Sequence, residues 1–150
     1  MRLLLVGGVI SSAVVVAGVP ASAQAAPGAT LVQATVSFHT NNEDKDHDTH
    51  VSVVIRDRDQ TEVAAIDNDF GQFRDNSDSG PINLVIMHPS TWDALRSGAA
   101  TQVTISPNGH DTWRFNFHLD LLFSDHTHLG ANVTGIELAQ DRNTQTWGVH

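Results

Sequence analysis

"DTWRFNFHLDLLFSD", residues 111–125, sets Trp113, Phe115, Phe117, Leu119 and Leu121 on one side of an extended chain and Arg114, Asn116, His118 and Asp120 on the other. Successive side chains of a strand point to opposite faces, so this segment reads as a strand with one buried and one wet face. The same period of two recurs along the chain. It sorts Leu31, Gln33, Thr35, Ser37 and His39 from Val32, Ala34, Val36 and Phe38, and it returns at Val51/Val53/Ile55, Val63/Ala65, Ile82/Leu84/Ile86 and Val103/Ile105. Ser124 to Thr127 reads as a tight turn into a strand within 129–139 that carries Val133, Ile136 and Leu138. A two-residue turn at Asp125-His126 would pair Phe123 with His128 and His118 with Val133, although His126 stands where Gly or Asn is favoured.

Helical periodicity is nearly absent. One short helix is expected over Pro89 to Gly98, with Ser90 as cap, Asp93 three residues on and Gly98 as the stop. Asp141 to His150 reads as a loosely tied end on which Trp147 docks. The expected fold is all-β, an antiparallel β-sandwich of seven to eight strands with one short helix; patterning alone does not separate it from a small barrel.

Met1-Arg2, the apolar run Leu3 to Val19, and Pro20-Ala21-Ser22-Ala23 have the layout of a secretory signal peptide over 1–23, with cleavage as late as Ala26. At 17 residues the apolar run is marginal as a membrane anchor. Residues 24–150 then form a single domain, destined to be secreted. The chain has no cysteine, which removes disulfides, thiolate nucleophiles and Cys-ligated zinc. A net charge of −9 argues against nucleic acid or an anionic membrane as a direct partner unless a divalent cation bridges.

Charge is concentrated in "HTNNEDKDHDTH", residues 39–50, with four acids and three histidines in twelve positions. If strand 31–40 runs upward, loop 41–49 is at the top, 50–56 runs down, and the turn Asp57-Arg58-Asp59-Gln60 is at the bottom. Strand 61–67 climbs again and returns loop 68–80 to the top. The bottom turn is a strand of roughly 20 Å away and cannot share a cation with Asp44. The candidate metal ligands are therefore Asp44, Asp46 and Asp48 with Asp67, Asp69, Asp75 and Asp78, supplemented by Asn41, Asn42 and backbone carbonyls. Charged oxygen ligands on flexible loops suit calcium, which takes six to eight oxygens at about 2.3–2.6 Å. Thr49 and Ile55 stand where an EF-hand requires Gly and Glu, so that motif is rejected. The plainer alternative is a solvated acidic turn that favours solubility and blunts edge pairing. Phe70 and Phe73, flanking Gly71 in the second loop, are candidates for partner or membrane insertion; the alternative is that they tuck onto the core.

The segment "ATVSFHTNNEDKDHDTHVSVVIRDRD", a strand, an acidic loop and then D-T-x-V-x-V-x-I, resembles the opening of a PLAT/LH2 domain, a C2-like calcium-binding β-sandwich, over residues 32–57. The resemblance implies loop-bound calcium and attachment to a lipid, membrane, carbohydrate or protein partner, with Asp44, Asp46, Asp48 and Thr49 carried over by position. The chain departs from that family in having no attached lipase or lipoxygenase and in its His-rich second half.

Nine histidines make zinc the alternative metal, with His118, Asp120, His126 and His128 as candidate neighbours on the expected hairpin. Catalytic signatures are missing: there is no Gly-x-Ser-x-Gly elbow, phosphate-cradling glycine loop, His-Glu-x-x-His or tyrosine. The expected function is a secreted calcium-binding module. A secreted hydrolase or His-metal enzyme is the first alternative, and a purely structural envelope or matrix protein is the second.

Overall fold

The computed structural model describes residues 25–150; the signal-peptide reading of 1–23 lies outside the described residues. Strands are numbered in chain order: β1 Leu31–Glu43, β2 His50–Arg56, β3 Glu62–Asn68, β4 Ser77–Asn83, β5 Val85–Ile86, β6 Ala100–Ser106, β7 Thr112–Phe123, β8 His128–Ala139 and β9 Thr144–Gly148. Among the described residues one helix, α1 Trp92–Arg96, precedes β6.

The Trp- and Phe-bearing strand β7 lies inside a four-stranded antiparallel sheet of order β4-β1-β7-β8. Trp113, Phe115, Phe117, Leu119, Leu121 and Phe123 all point inward, none more than 2% exposed. They meet Val51, Val53, Ile55, Val63, Val103 and Ile105 from the second sheet, of order β5-β3-β2-β6-β9. Two antiparallel sheets packed over one apolar core make an all-β sandwich of nine strands.

The alternation departs from strict period two where the ladder shifts. A register shift between Leu31 and Gln33 lets Leu31 turn inward at 6% exposure and puts Val32 outward at 52%. A second shift lies opposite Phe115–Phe117, where the Asn116 side chain accepts the N–H of Gly135, whose φ is 70°. The β7–β8 hairpin closes with three loop residues instead of two. Phe123 N–H donates to Thr127 O, His126 N–H donates to Phe123 O, and His126 takes the left-handed conformation at φ 66°. His118 consequently pairs with Asn132, one residue from the expected Val133.

Thr91, not Ser90, caps α1, its hydroxyl accepting the N–H of Ala94 at 3.3 Å. Strand β4 extends the expected alternation at Ile82 back through residues 77–80, read as loop, to pair with β1, and Thr144–Gly148, read as a loose end, pairs with β6, where Trp147 meets Phe117 edge-on at 5.0 Å.

Candidate functional site at the acidic pole

β1 is antiparallel to β4 and β7, and β2 to β3 and β6, so the end of β1 and the start of β2 share a pole with the end of β3, the start of β4, the end of β6 and the start of β7. Three connections carry the site there, 44–49, 69–76 and 107–111, and the β8–β9 turn at 140–143 lies at the same end. The first two are tied by a two-way backbone bridge. Lys45 N–H donates to Phe73 O at 3.0 Å, and Phe73 N–H donates to Lys45 O at 3.1 Å.

Lys45 is the only lysine of the chain, and it is fully buried. Its Nζ donates to the carbonyl oxygens of Asp46 at 2.8 Å, Thr49 at 2.7 Å and Asp69 at 2.7 Å. An ammonium has three protons, and all three are used. The Phe73 ring lies below it, 5.2 Å from Nζ to ring centroid. Burial pushes the Lys45 pKa down, opposed by the carboxylates of Asp111, Asp69, Asp46 and Asp48 in that order. A buried ammonium is tolerated only where hydrogen bonds and opposite charge replace its water, and this cage supplies both. A cation does sit between the two loops, and it is part of the chain.

The carboxylates are arranged around that ammonium. Asp44 accepts from Gln72 Nε2 at 2.6 Å, and Asp48 accepts from Asn108 Nδ2 at 3.2 Å. Asp46 uses its backbone: its carbonyl receives Lys45, and its N–H donates to Asp111 Oδ2 at 3.2 Å. The same Asp111 oxygen accepts from the buried Thr49 hydroxyl at 2.5 Å. Asp67 and Asp69 bracket His50, whose Nδ1 is 2.7 Å from Asp69 Oδ1 and whose Nε2 contacts Asp67. Carboxylates only accept, so both contacts together require a doubly protonated imidazolium, and the hydrogen bond to Asp69 raises the His50 pKa. Asp75 is exposed, and Asp78 faces away on β4, 2.7 Å from His39 Nδ1.

Phe73 is 5% exposed and packs on Phe38 and Trp113 at 5.9 and 5.5 Å, so its ring belongs to the core beneath the cage and is not offered to a partner. Phe70 is half-buried and stacks on Phe73 at 6.1 Å. On the β7–β8 hairpin, His128 Nδ1 is 2.8 Å from Asp120 Oδ1, and His126 occupies the turn. Among the described residues, no three Asp, Glu or His side chains converge closely enough to hold a metal ion.

Lys45, His50, Asn108 and Asp111 are the residues of this pole that the sequence reading missed. Asn108 and Asp111 were within reach: carrying the up-and-down count through β6 places 107–111 at the same end. Lys45 carried a weaker signal, as the one cation within the acidic run. No protein-family model matches the chain, and no curated protein sequence matches it.

Proposed function

We propose that this protein is a secreted, non-enzymatic β-sandwich binding module of PLAT-like type that works at its acidic pole. There it recruits calcium and presents the ordered tip to a lipid, membrane, carbohydrate or protein partner. One observation carries the reading: the Lys45 ammonium supplies a single positive charge to the carboxylates of Asp46, Asp48, Asp69 and Asp111 around it, with Asp44 and Asp67 close by. The pole keeps an excess of negative charge after Lys45 and the His50 imidazolium are both counted, and exposed carboxylates in that state attract a hard divalent cation. Lys45 already closes the loops, so calcium binds at their outer surface and adds stability without being needed for folding.

Thermal unfolding with EDTA, with calcium and with zinc tests this. EDTA alone should leave the melting temperature unchanged. Millimolar calcium should raise it, and Asp46→Asn should remove the rise. No response to calcium would leave the acidic pole as a hydrating surface on a structural protein. A zinc-specific rise lost in His128→Ala would transfer the function to the histidine hairpin.

A further inference from the structure

The wet face of the four-stranded sheet carries a second polar surface, separate from the acidic pole. Cross-strand partners share a face, and the register runs Asp78–His39–Asn116 in one row and Ser37–His118–Asn132 in the next, with Asp120 opposite Gly130 beyond. Two hollows lie over these rows, of about 280 Å³ around His39, Asp78 and Ser37 and about 460 Å³ around Asp120, His128 and His150. His118 and Asn132, both exposed, line both hollows and make them one trough. Crossing four strands, it spans about 14 Å at the usual spacing.

Each end holds an imidazole fixed by a carboxylate. His39 Nδ1 is 2.7 Å from Asp78, and His128 Nδ1 is 2.8 Å from Asp120. The carboxylate can only accept, so each Nδ1 is the protonated nitrogen; Nε2 is then an acceptor in the neutral ring and a donor in the charged one. Between them, the Ser37 hydroxyl, the His118 imidazole and the Asn132 amide offer both donors and acceptors. Close backbone approach requires glycine at two positions of the lining: a Cβ on Gly80 would meet Val36 O at 2.9 Å, and one on Gly130 would meet Leu119 O at 2.3 Å.

The lining selects among ligands. It contains no Lys or Arg, so a phosphate or sulfate group finds no cation. Its large apolar residues, Phe38, Phe117, Leu119 and Leu129, are at most 6% exposed, so a lipid tail or apolar peptide finds no large apolar side chain to cover. We propose that this trough binds a neutral, hydroxyl-rich chain, an oligosaccharide, through the fixed imidazoles of His39 and His128 and the central pair His118 and Asn132. Imidazole, amide and hydroxyl side chains, which can donate and accept, match sugar hydroxyls, which do the same.

The test is amide chemical-shift mapping of the folded, isotope-labelled protein with neutral hexasaccharides based on glucose, xylose, mannose and N-acetylglucosamine, at millimolar concentration. At least one should produce saturable shifts confined to residues 37–39, 116–120 and 128–132, with the His50 and Asp69 amides unmoved. His118→Ala and Asn132→Ala sit on the surface and should each weaken that binding by at least about fivefold, whereas Asp57→Asn, at the opposite pole, should not change it. The proposal falls if no hexasaccharide shifts these amides, if the shifts map to the acidic pole, or if zinc chloride alone perturbs the trough.

Discussion

The two poles of the sandwich handle buried or crowded aspartates in opposite ways. At the lower pole Asp57 and Asp125 each accept two hydrogen bonds from their own turns. Asp57 Oδ1 accepts the N–H groups of Asp59 and Thr61, both at 2.9 Å, and Asp125 Oδ1 accepts the N–H and hydroxyl of Thr127 at 3.1 and 2.6 Å. Asp125 is held below the usual carboxylate range, first by the Thr127 hydroxyl and then by the Ala26 N–H. At the upper pole the solution is shared. One ammonium ties backbone from 46, 49 and 69, and Asp111 joins a third connection through Thr49 and Asp46. A local solution can be lost one turn at a time, whereas a shared one fails as a unit.

The largest expected effect follows from removing the shared cation. Lys45→Met keeps most of the aliphatic stem but leaves the three carbonyls without a donor and the surrounding carboxylates without a counter-charge. Urea unfolding at neutral pH should show a loss of about 3–5 kcal/mol, the usual cost of taking one partner from a buried charged network. An amine-reactive reagent provides a second view of the same contrast. The native protein should react at its N-terminus and not at Lys45, and Lys45 should become labelled as denaturant opens the pole. A loss below about 1 kcal/mol, or rapid labelling of the native chain, would mean that the ammonium is not what holds the pole together.

At the other pole the expected cost is smaller and stays local. Asp57→Ala removes one acceptor from two backbone N–H groups in a solvent-accessible turn, worth about 1 kcal/mol. Lys45 should remain protected from acylation in this variant. Increased labelling would show that the two poles are coupled through the core and would break the contrast between them.

The same contrast marks how far the sequence could be read. Strand β7 and the buried faces of β2 and β6 were plain, because inward positions there are Val, Ile, Leu, Phe or Trp at strict alternation, with Thr101 as the one polar member. The first half of strand β4, "SDSG", was hidden because a polar edge segment ahead of a proline carries little apolar signal. Strand β9 was hidden because its Thr-Gln-Thr pattern pairs only with β6. Val32 and the β7–β8 register were misplaced by a bulge and by the left-handed His126, neither of which periodicity encodes. Counting strand directions brought 41–49 and 68–80 to one end, and Lys45 bonded to Asp69 shows them there. Counting could not show that a lysine would fold inward between carboxylates, because the local carbonyls of Asp46 and Thr49 hold it only together with that of Asp69, 24 residues away.

The smallest expected effect concerns pH and separates His50 from Lys45 within the upper pole. Paired with Asp67 and Asp69, His50 has a pKa raised above its unfolded value, so folding favours its protonated form. Its contribution is therefore complete below the unfolded value of about 6.5 and fades as pH rises through the raised folded value. The side chain is 43% exposed, so solvent screening limits the gain to about 0.5–1 kcal/mol. In His50→Gln, the deficit in unfolding free energy relative to the parent should be widest near pH 5.5, where the aspartates are still ionised, and close to zero by about pH 9. A deficit that is flat across this range would assign His50 a packing role. One that grows toward high pH would reverse the sign and remove the imidazolium from the account of the pole, leaving Lys45 as its only internal cation.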